Sequence, residues 1–256
     1  MRYQPNMAKV PKIRLDVLLV EKNLVESRAK AQALILAGQV LVNNERIDKP
    51  GHSVNSDAEL RLKDVQPYVS RGGLKLAKAL GVFSVQVQNR VCLDVGASTG
   101  GFTDCLLKHG AQKVFAVDVG HSQLHWSLVT DPRVISLEKI NFRHMDLTLL
   151  PEPIDLCVMD VSFISIEKLL PKVVEILAKT QKPSQVVFLI KPQFETAPAN
   201  VGKGGIVKDP KVHTEVTNRI QAALLKANFH NIQIQNSPIQ GADGNEEFLV
   251  FGELSL

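Results

Sequence analysis

From Arg90 onward the chain alternates short apolar runs with helix-compatible segments, and this alternation most narrows what it can fold into. Residues 91–95, 113–117, 134–137, 156–160, 185–190, 232–235 and 248–252 read as strands. Helices are expected to start near Gly101, His121, Ser165 and Asp209. The early runs are apolar almost throughout, as strands of a parallel sheet covered on both faces must be. The expected fold class is therefore α/β, a doubly wound, seven-stranded Rossmann-like sheet. Its last two strands are expected to form an antiparallel hairpin at one edge.

A length of 256 residues with 45% hydrophobic and 22% charged residues suits one or two globular domains. Cys92, Cys105 and Cys157 lie far apart and form no C-x-x-C pair. This argues against a disulfide framework or a thiolate-ligated metal and fits a reducing cytoplasm. No apolar run reaches the ~18–20 residues of a membrane span, and residues 1–14 lack a signal core, so neither a membrane protein nor export is expected. The net charge of +4 is uneven: residues 1–78 hold fourteen Lys and Arg against eight Asp and Glu. A basic front joined to a slightly acidic back points to an anionic partner held by the front.

Residues 13–63 read as a small module of two helices and short strands. Leu15, Leu18 and Leu19 stand at helical spacing, Ser27 reads as the N-cap of a second helix, and Gly38 stops that helix. Residues 40–42 form a strand, Asn43-Asn44 a turn, and Lys49-Pro50-Gly51 another turn before a strand over 59–62. Arg14-Leu-Asp16, Ser27-Arg28, Ala37-Gly-Gln-Val-Leu-Val-Asn43 and Lys49-Pro50 resemble the alpha-L RNA-binding domain. Arg14, Arg28, Lys30 and Lys49 would present cations to RNA phosphates, with the helix start at Ser27 adding backbone N–H donors. Such contacts grip structured RNA by shape and charge. Residues 64–70 are the expected linker, and a helix carrying Lys75 and Lys78 follows.

The stretch from Cys92 to Thr103 places Asp94 in the first strand of the sheet and then a loop of small residues opening a helix. Gly96, Ala97, Ser98, Thr99, Gly100, Gly101 and Phe102 are the candidate cofactor contacts there. A dinucleotide fingerprint, G-x-G-x-x-G, fails because its second position is Ser98. Asp94 would also repel pyrophosphate. S-adenosylmethionine carries an ammonium and a sulfonium and no phosphate, so a carboxylate favours it. Asp118, at the end of the second strand, is placed to accept from ribose hydroxyls. Asn141, and with it Asp146, is a candidate for the adenine side. No metal is expected; His121 and His125 stand at i, i+4 but lack a third ligand.

Asp160 and Lys191 end the fourth and fifth strands, Lys75 precedes the sheet, and Glu247 opens the last strand. A lysine after the buried run 186–190 is costly unless paired or functional. Together Lys75, Asp160, Lys191 and Glu247 resemble the Lys-Asp-Lys-Glu set of the FtsJ-like ribose 2′-O-methyltransferases. With the alpha-L module at residues 13–63 and the catalytic domain at 71–256, the chain resembles the hemolysin-A-like (TlyA-type) ribosomal RNA methyltransferases. The motifs carrying this are Ser70-Arg-Gly-Gly-Leu-Lys75, the Asp94–Thr103 loop, Asp160-Val-Ser-Phe-Ile-Ser165, Lys191-Pro-Gln-Phe-Glu195 and Gly244-Asn-Glu-Glu-Phe248. The resemblance implies methylation of a ribose 2′-hydroxyl, a cytidine target, and ribosomal RNA or subunits as partner. Lys191 would then contact the attacking oxygen. A non-catalytic ribosome-assembly factor and a secreted cytolysin are the rival readings; the intact set of four disfavours the first and the missing membrane run the second. Phe163 is expected to close the core behind Asp160, and the glycine-rich stretch 202–208, with Lys203 and Lys208, to lie where RNA phosphate passes.

Overall fold

The computed structural model describes residues 10–63, 67–180 and 183–254. They fall into two compact units, divided between residues 66 and 67. Residues 64–66 of the expected linker, and 255–256 of the expected catalytic domain, lie outside the described residues. Residues 67–70 go with the second unit, where the Val69 amide donates to Asp104 Oδ2 at 2.9 Å.

In the first unit, β1 (Lys12–Arg14) runs into α1 (Leu15–Glu21), and α2 (Arg28–Leu36) follows. β2 (Val40–Val42) and β3 (Glu45–Arg46) form a hairpin around Asn43 and Asn44. Both asparagines have positive φ, 49° and 67°, as a tight two-residue hairpin turn requires. β4 (Ser53–Asn55) pairs antiparallel with β1, and β5 (Leu60–Leu62) with β2. Leu15, Leu19, Ala31, Ile35 and Val40 are fully buried between these layers, enough core for a module of this size.

The second unit begins with α3 (Gly72–Val82) and then alternates: β6 (Val91–Val95), α4 (Gly101–Lys108), β7 (Lys113–Val117), α5 (Trp126–Val129), β8 (Val134–Leu137), β9 (Leu156–Met159), α6 (Leu170–Leu177) and β10 (Ser184–Ile190). A short α7 (Pro192–Glu195), the long α8 (Pro210–Lys226), β11 (Phe229–Asn236) and β12 (Phe248–Leu254) complete it. The sheet order is β11-β12-β10-β9-β6-β7-β8, parallel except for β12, which is antiparallel to both neighbours. The chain moves from β6 outward to β8 and then returns to β9 on the other side of β6. That reversal opens a crevice beyond the carboxyl ends of β6 and β9. Every residue of β6 and β9 is buried, with α3 and α4 on one face and α6 and α8 on the other.

The last two strands form the expected antiparallel hairpin at one edge, β11 outermost and β12 against β10. One expectation changes in detail. The helix expected from His121 shrinks to the single turn of α5, because the His125 amide, which such a helix would bond to the His121 carbonyl, donates to the Thr99 carbonyl at 3.2 Å instead. Asp118 Oδ1 takes the Gly120 amide at 2.7 Å and Glu138 Oε2 takes the Ser122 amide at 2.8 Å, tying the segment to the sheet edge. Among the described residues, no helix is long and apolar enough to cross a membrane.

Candidate active site

The carboxyl ends of the central strands gather four buried or half-buried charges into two ion pairs. β9 and β10 are parallel neighbours, Met159 beside Phe188, so Asp160 and Lys191 follow adjacent strand ends, β10 running two residues further before its lysine. Lys191 Nζ lies 2.6 Å from Asp160 Oδ1 and donates to Ser162 Oγ at 2.9 Å. Lys75 emerges on the buried face of α3 with Leu76, Ala79 and Leu80 and meets Glu247 Oε2 at 2.5 Å. Glu247 is 4% exposed, and burial raises its carboxyl above the ordinary range while Lys75 opposes the rise. Its electrostatic neighbours include Lys191 and Asp160, so the two pairs act as one set. Pairing lets four charges stay ionised away from water, where an isolated one would neutralise. The adjacent Glu246 is exposed and leans toward His213, 3.5 Å away, and takes no part in the set.

Beside this set lies a cleft of about 370 Å³ lined by Gly96, Ser98, Asp118, Asn141, Asp160 and Phe163 among others. Gly96 closes β6 with φ at +81°, and a Cβ there would meet the Asp160 carbonyl oxygen at 2.6 Å, so no other residue fits. Asp118 Oδ2 accepts from the Ser98 amide at 2.8 Å, so this carboxylate also shapes the loop it faces. Asn141 Oδ1 accepts from the Arg143 amide at 3.1 Å, leaving its NH2 for a ligand. Asp146 instead caps a turn at the Thr148 amide and is not among the cleft residues. Gln123, Val119, Ser162 and Leu169 also line the cleft and were not foreseen. Of these only Gln123 and Ser162 are polar; Gln123 stands in no marked pattern, whereas Ser162 lies in the Asp160–Ser165 motif without having been singled out.

The rest of the loop supports the cleft from behind. Asp94 is fully buried; Thr103 Oγ1 donates to its Oδ2 at 2.6 Å, and its Oδ1 has no partner. Desolvation pushes this carboxyl up to about 7. Ala97 is buried at the rim, while Thr99 is exposed and its carbonyl accepts from the His125 amide at 3.2 Å. Gly100 is the left-handed N-cap of α4. Gly101 is a packing glycine, since a Cβ would strike Ser70 Oγ at 2.2 Å and the Gly73 nitrogen at 2.9 Å. Phe102 is a core side chain against α3. Neither Thr99 nor Phe102 lines the cleft.

Phe163 departs from expectation. It is 89% exposed, sits at φ +66°, and lies 4.8 Å from the Phe194 ring at the mouth of the cleft. The backbone turns over after Asp160, so Ile166 enters the core in its place. A positive φ on an aromatic residue is a strained choice that usually serves a site.

In the first unit the cations are more organised than a basic surface. Asp16, fully buried, receives Arg14 through Nε at 3.0 Å and a terminal nitrogen at 2.9 Å, Arg28 Nε at 2.8 Å and Gln32 Nε2 at 2.8 Å. Above all the Arg14 hydrogen bonds hold its carboxyl well below the usual range. Both guanidiniums remain about half exposed, 49% and 54%. The turn carrying Lys49 lies alongside, its Pro50 carbonyl accepting from the Asp16 amide at 3.2 Å. Lys30 and Ser27 lie at the start of α2, where Ser27 Oγ accepts from the Lys30 amide at 3.3 Å. That amide, expected to face an RNA phosphate, is thus already engaged. His121 pairs with Glu138 and His125 caps α5. Among the described residues, no group of three or more His, Cys, Asp or Glu could hold a metal.

Comparison with known proteins matches residues 68–254 to the FtsJ-like methyltransferase family and residues 13–60 to the S4 domain. A candidate rRNA methyltransferase of Bacillus subtilis (strain 168), YqxC, is 47% identical over 244 residues, 93% of this chain and 85% of that protein. The 16S/23S rRNA (cytidine-2′-O)-methyltransferase TlyA of Mycobacterium tuberculosis is 39% identical over 240 residues, 93% of this chain and 88% of that protein. A solved structure from Streptococcus thermophilus, described as a candidate hemolysin, is 43% identical with a TM-score of 0.72, covering 96% of this chain and 90% of that one.

Proposed function

The chain belongs to the FtsJ-like methyltransferase family, and we propose that it methylates the 2′-hydroxyl of a cytidine ribose in ribosomal RNA, using S-adenosylmethionine. The observation that carries this reading is Asp160, which lines the cleft and at the same time holds Lys191 at 2.6 Å. Cofactor cleft and reacting group are therefore joined at one residue.

The cleft suits this cofactor. Among the described residues it is lined by two carboxylates, Asp118 and Asp160, and by no lysine or arginine, an environment for a cationic ligand without phosphates. Asp118 and the Asn141 amide would hold the nucleoside, and the Gly96 backbone and the orphaned Asp94 oxygen behind it the cationic end. When bound, S-adenosylmethionine supplies an electrophilic methyl group.

A ribose hydroxyl is a poor nucleophile near neutral pH and gains from losing its proton or from a cation that stabilises the developing charge. Lys191 Nζ, fixed by Asp160 and Ser162, is the group for that task. The hydroxyl proton passes to the Lys191–Asp160 pair as negative charge builds on the oxygen. Lys75 and Glu247 keep the pair in place and prevent Lys191 from swinging away. Phe163, braced by Phe194 at the cleft mouth, offers a ring on which the target base stacks. Arg14, Arg28 and Lys49 of the S4 domain grip RNA backbone, with Lys30 as a further exposed cation.

The test is methyl transfer from labelled S-adenosylmethionine to unmodified ribosomal subunits, followed by nucleoside analysis. Label is expected in 2′-O-methylcytidine and should fall by about 10²–10⁴-fold in Lys191→Ala, with S-adenosylhomocysteine binding retained. Label on a base would overturn the catalytic assignment. Tight RNA binding without label would favour the assembly factor.

A further inference from the structure

Residues 202–208 connect α7 to α8 and stand outside the machinery above. The Gly205 amide donates to the Gly202 carbonyl at 3.1 Å and the Gly202 amide to the Ile206 carbonyl at 2.9 Å, closing a tight turn with Lys203 near its tip. Gly204 and Gly205 have φ of +77° and +76°, and nothing lies within 4 Å of where their Cβ atoms would be. These glycines set the turn's shape and leave open space over it. Lys203 and Lys208 are both exposed, and neither forms an ion pair among the described residues. Of the neighbouring carboxylates in sequence, Asp209 Oδ1 caps α8 at the Lys211 amide, 2.9 Å, and Glu246 leans on His213.

This turn is held by two buried side chains, Asn245 and His213. Asn245 is 1% exposed; its Oδ1 accepts from the Val207 amide at 2.9 Å and its Nδ2 donates to the Gly205 carbonyl at 2.8 Å. His213, buried on α8 with its ring against Phe248, has Nε2 3.0 Å from the Val207 carbonyl. A buried amide costs free energy unless both ends are bonded, and here both ends are bonded to the lysine turn. Asn245 stands two residues before Glu247, and Phe248 one after it. One short segment thus fixes the turn with Asn245 and the ion-pair set with Glu247.

Resting on the RNA methylation reading, we propose that the 202–208 turn is a second RNA contact, in which Lys203 and Lys208 receive backbone phosphates beside the target nucleotide. Asn245 is the positioning residue that sets this contact relative to Glu247. Among the described residues no lysine or arginine lines the cofactor cleft, and the turn, tied through Asn245 to the segment that carries Glu247, would supply positive charge to the RNA from outside it.

The experiment compares the full chain with a Lys203→Ala, Lys208→Ala double variant, and separately with Asn245→Ala, for binding to unmodified ribosomal subunits across a salt series. Two lost phosphate contacts should flatten the slope of log affinity against log salt by about 1.5 and weaken binding about tenfold. The KM for subunits should rise accordingly, while S-adenosylhomocysteine affinity stays the same. Asn245→Ala should reproduce the flatter slope with both lysines present and lower kcat as well, since it also loosens the segment bearing Glu247. An unchanged slope and KM in the double variant would overturn the proposal, as would an Asn245→Ala protein that loses kcat but keeps the parental slope. A parent that binds subunits but transfers no methyl group would sink the methylation reading, and the slopes would still decide the turn's role.

Discussion

Replacing Asp94 by Asn separates what this carboxylate does for folding from what it does for binding. The side chain is fully buried with one unpaired oxygen, and its carboxyl is pushed from 3.8 up to about 7. At 1.36 kcal/mol per unit, that difference corresponds to about 4 kcal/mol. Because the folded value lies above the unfolded one, the unfolded chain releases the proton first. Stability therefore falls as pH rises from the unfolded value to about 7 and is flat beyond it. Asn cannot ionise and suffers no such loss. In urea unfolding, Asp94→Asn should be the more stable protein, with its advantage widening by about 2 kcal/mol between about pH 5.5 and about pH 8.5. Peptide-resolved hydrogen exchange over β6 and β7 reads the sheet unit apart from the S4 domain. Ligand binding should move the other way: calorimetry should show S-adenosylhomocysteine affinity reduced at least about tenfold, or 1.4 kcal/mol. In the parent that affinity should weaken as pH drops below about 7, because the protonated carboxyl no longer attracts an ammonium. A stability gap of the same size at both pH values, or a variant of full ligand affinity, would refute the reasoning.

Two further outcomes test other parts of the structure. Asp16→Asn should destabilise the S4 domain by about 2 kcal/mol, since two guanidiniums lose a buried charged acceptor, and should lower RNA affinity through disordered Arg14 and Arg28; amide exchange in α1 and α2 and a binding titration measure both. In the parent, the depressed Asp16 carboxyl contributes stability above its unfolded value, and this is lost as pH falls through and below 3.8. Phe163→Ala should leave thermal stability unchanged, because the ring is exposed, yet cut kcat/KM on subunits by about 10-fold to 100-fold, the range for one lost base stack. Normal turnover by that variant would remove the stacking role.

The strands of the sheet were legible because the central ones are buried on both faces and so appear as apolar runs ending in isolated charges. Lys191 after residues 186–190 and Asp160 after Leu156–Met159 stand out for that reason, and the parallel register brings them together. What escaped depends on backbone direction or on solitary polar residues. Phe163 follows a strand whose alternation would carry it inward, but its positive φ reverses the chain and turns the ring out. His121 to His125 have helical spacing, yet the His125 amide that would close the first turn goes to the Thr99 carbonyl. The basic module read as free cations because nothing in Arg14-Leu-Asp16 announces that its carboxylate turns inward to bind two arginines and Gln32. Asn245 had no signal beyond its place beside Glu247.

The position of β12 has a consequence for how the protein comes into being. Among the described residues it is the last strand in chain order, yet it fills the slot between β10 and β11 and delivers Glu247 to Lys75. During synthesis, five parallel strands and the whole lining of the cofactor cleft exist before residues 247–254 emerge. Until they do, β10 presents an open edge with unpaired backbone groups, ready to join another chain. A chain interrupted at that stage would hold a cofactor pocket but lack the glutamate that braces Lys75. Entry of β12 thus covers the open edge of β10 and delivers the glutamate of the catalytic set in one event.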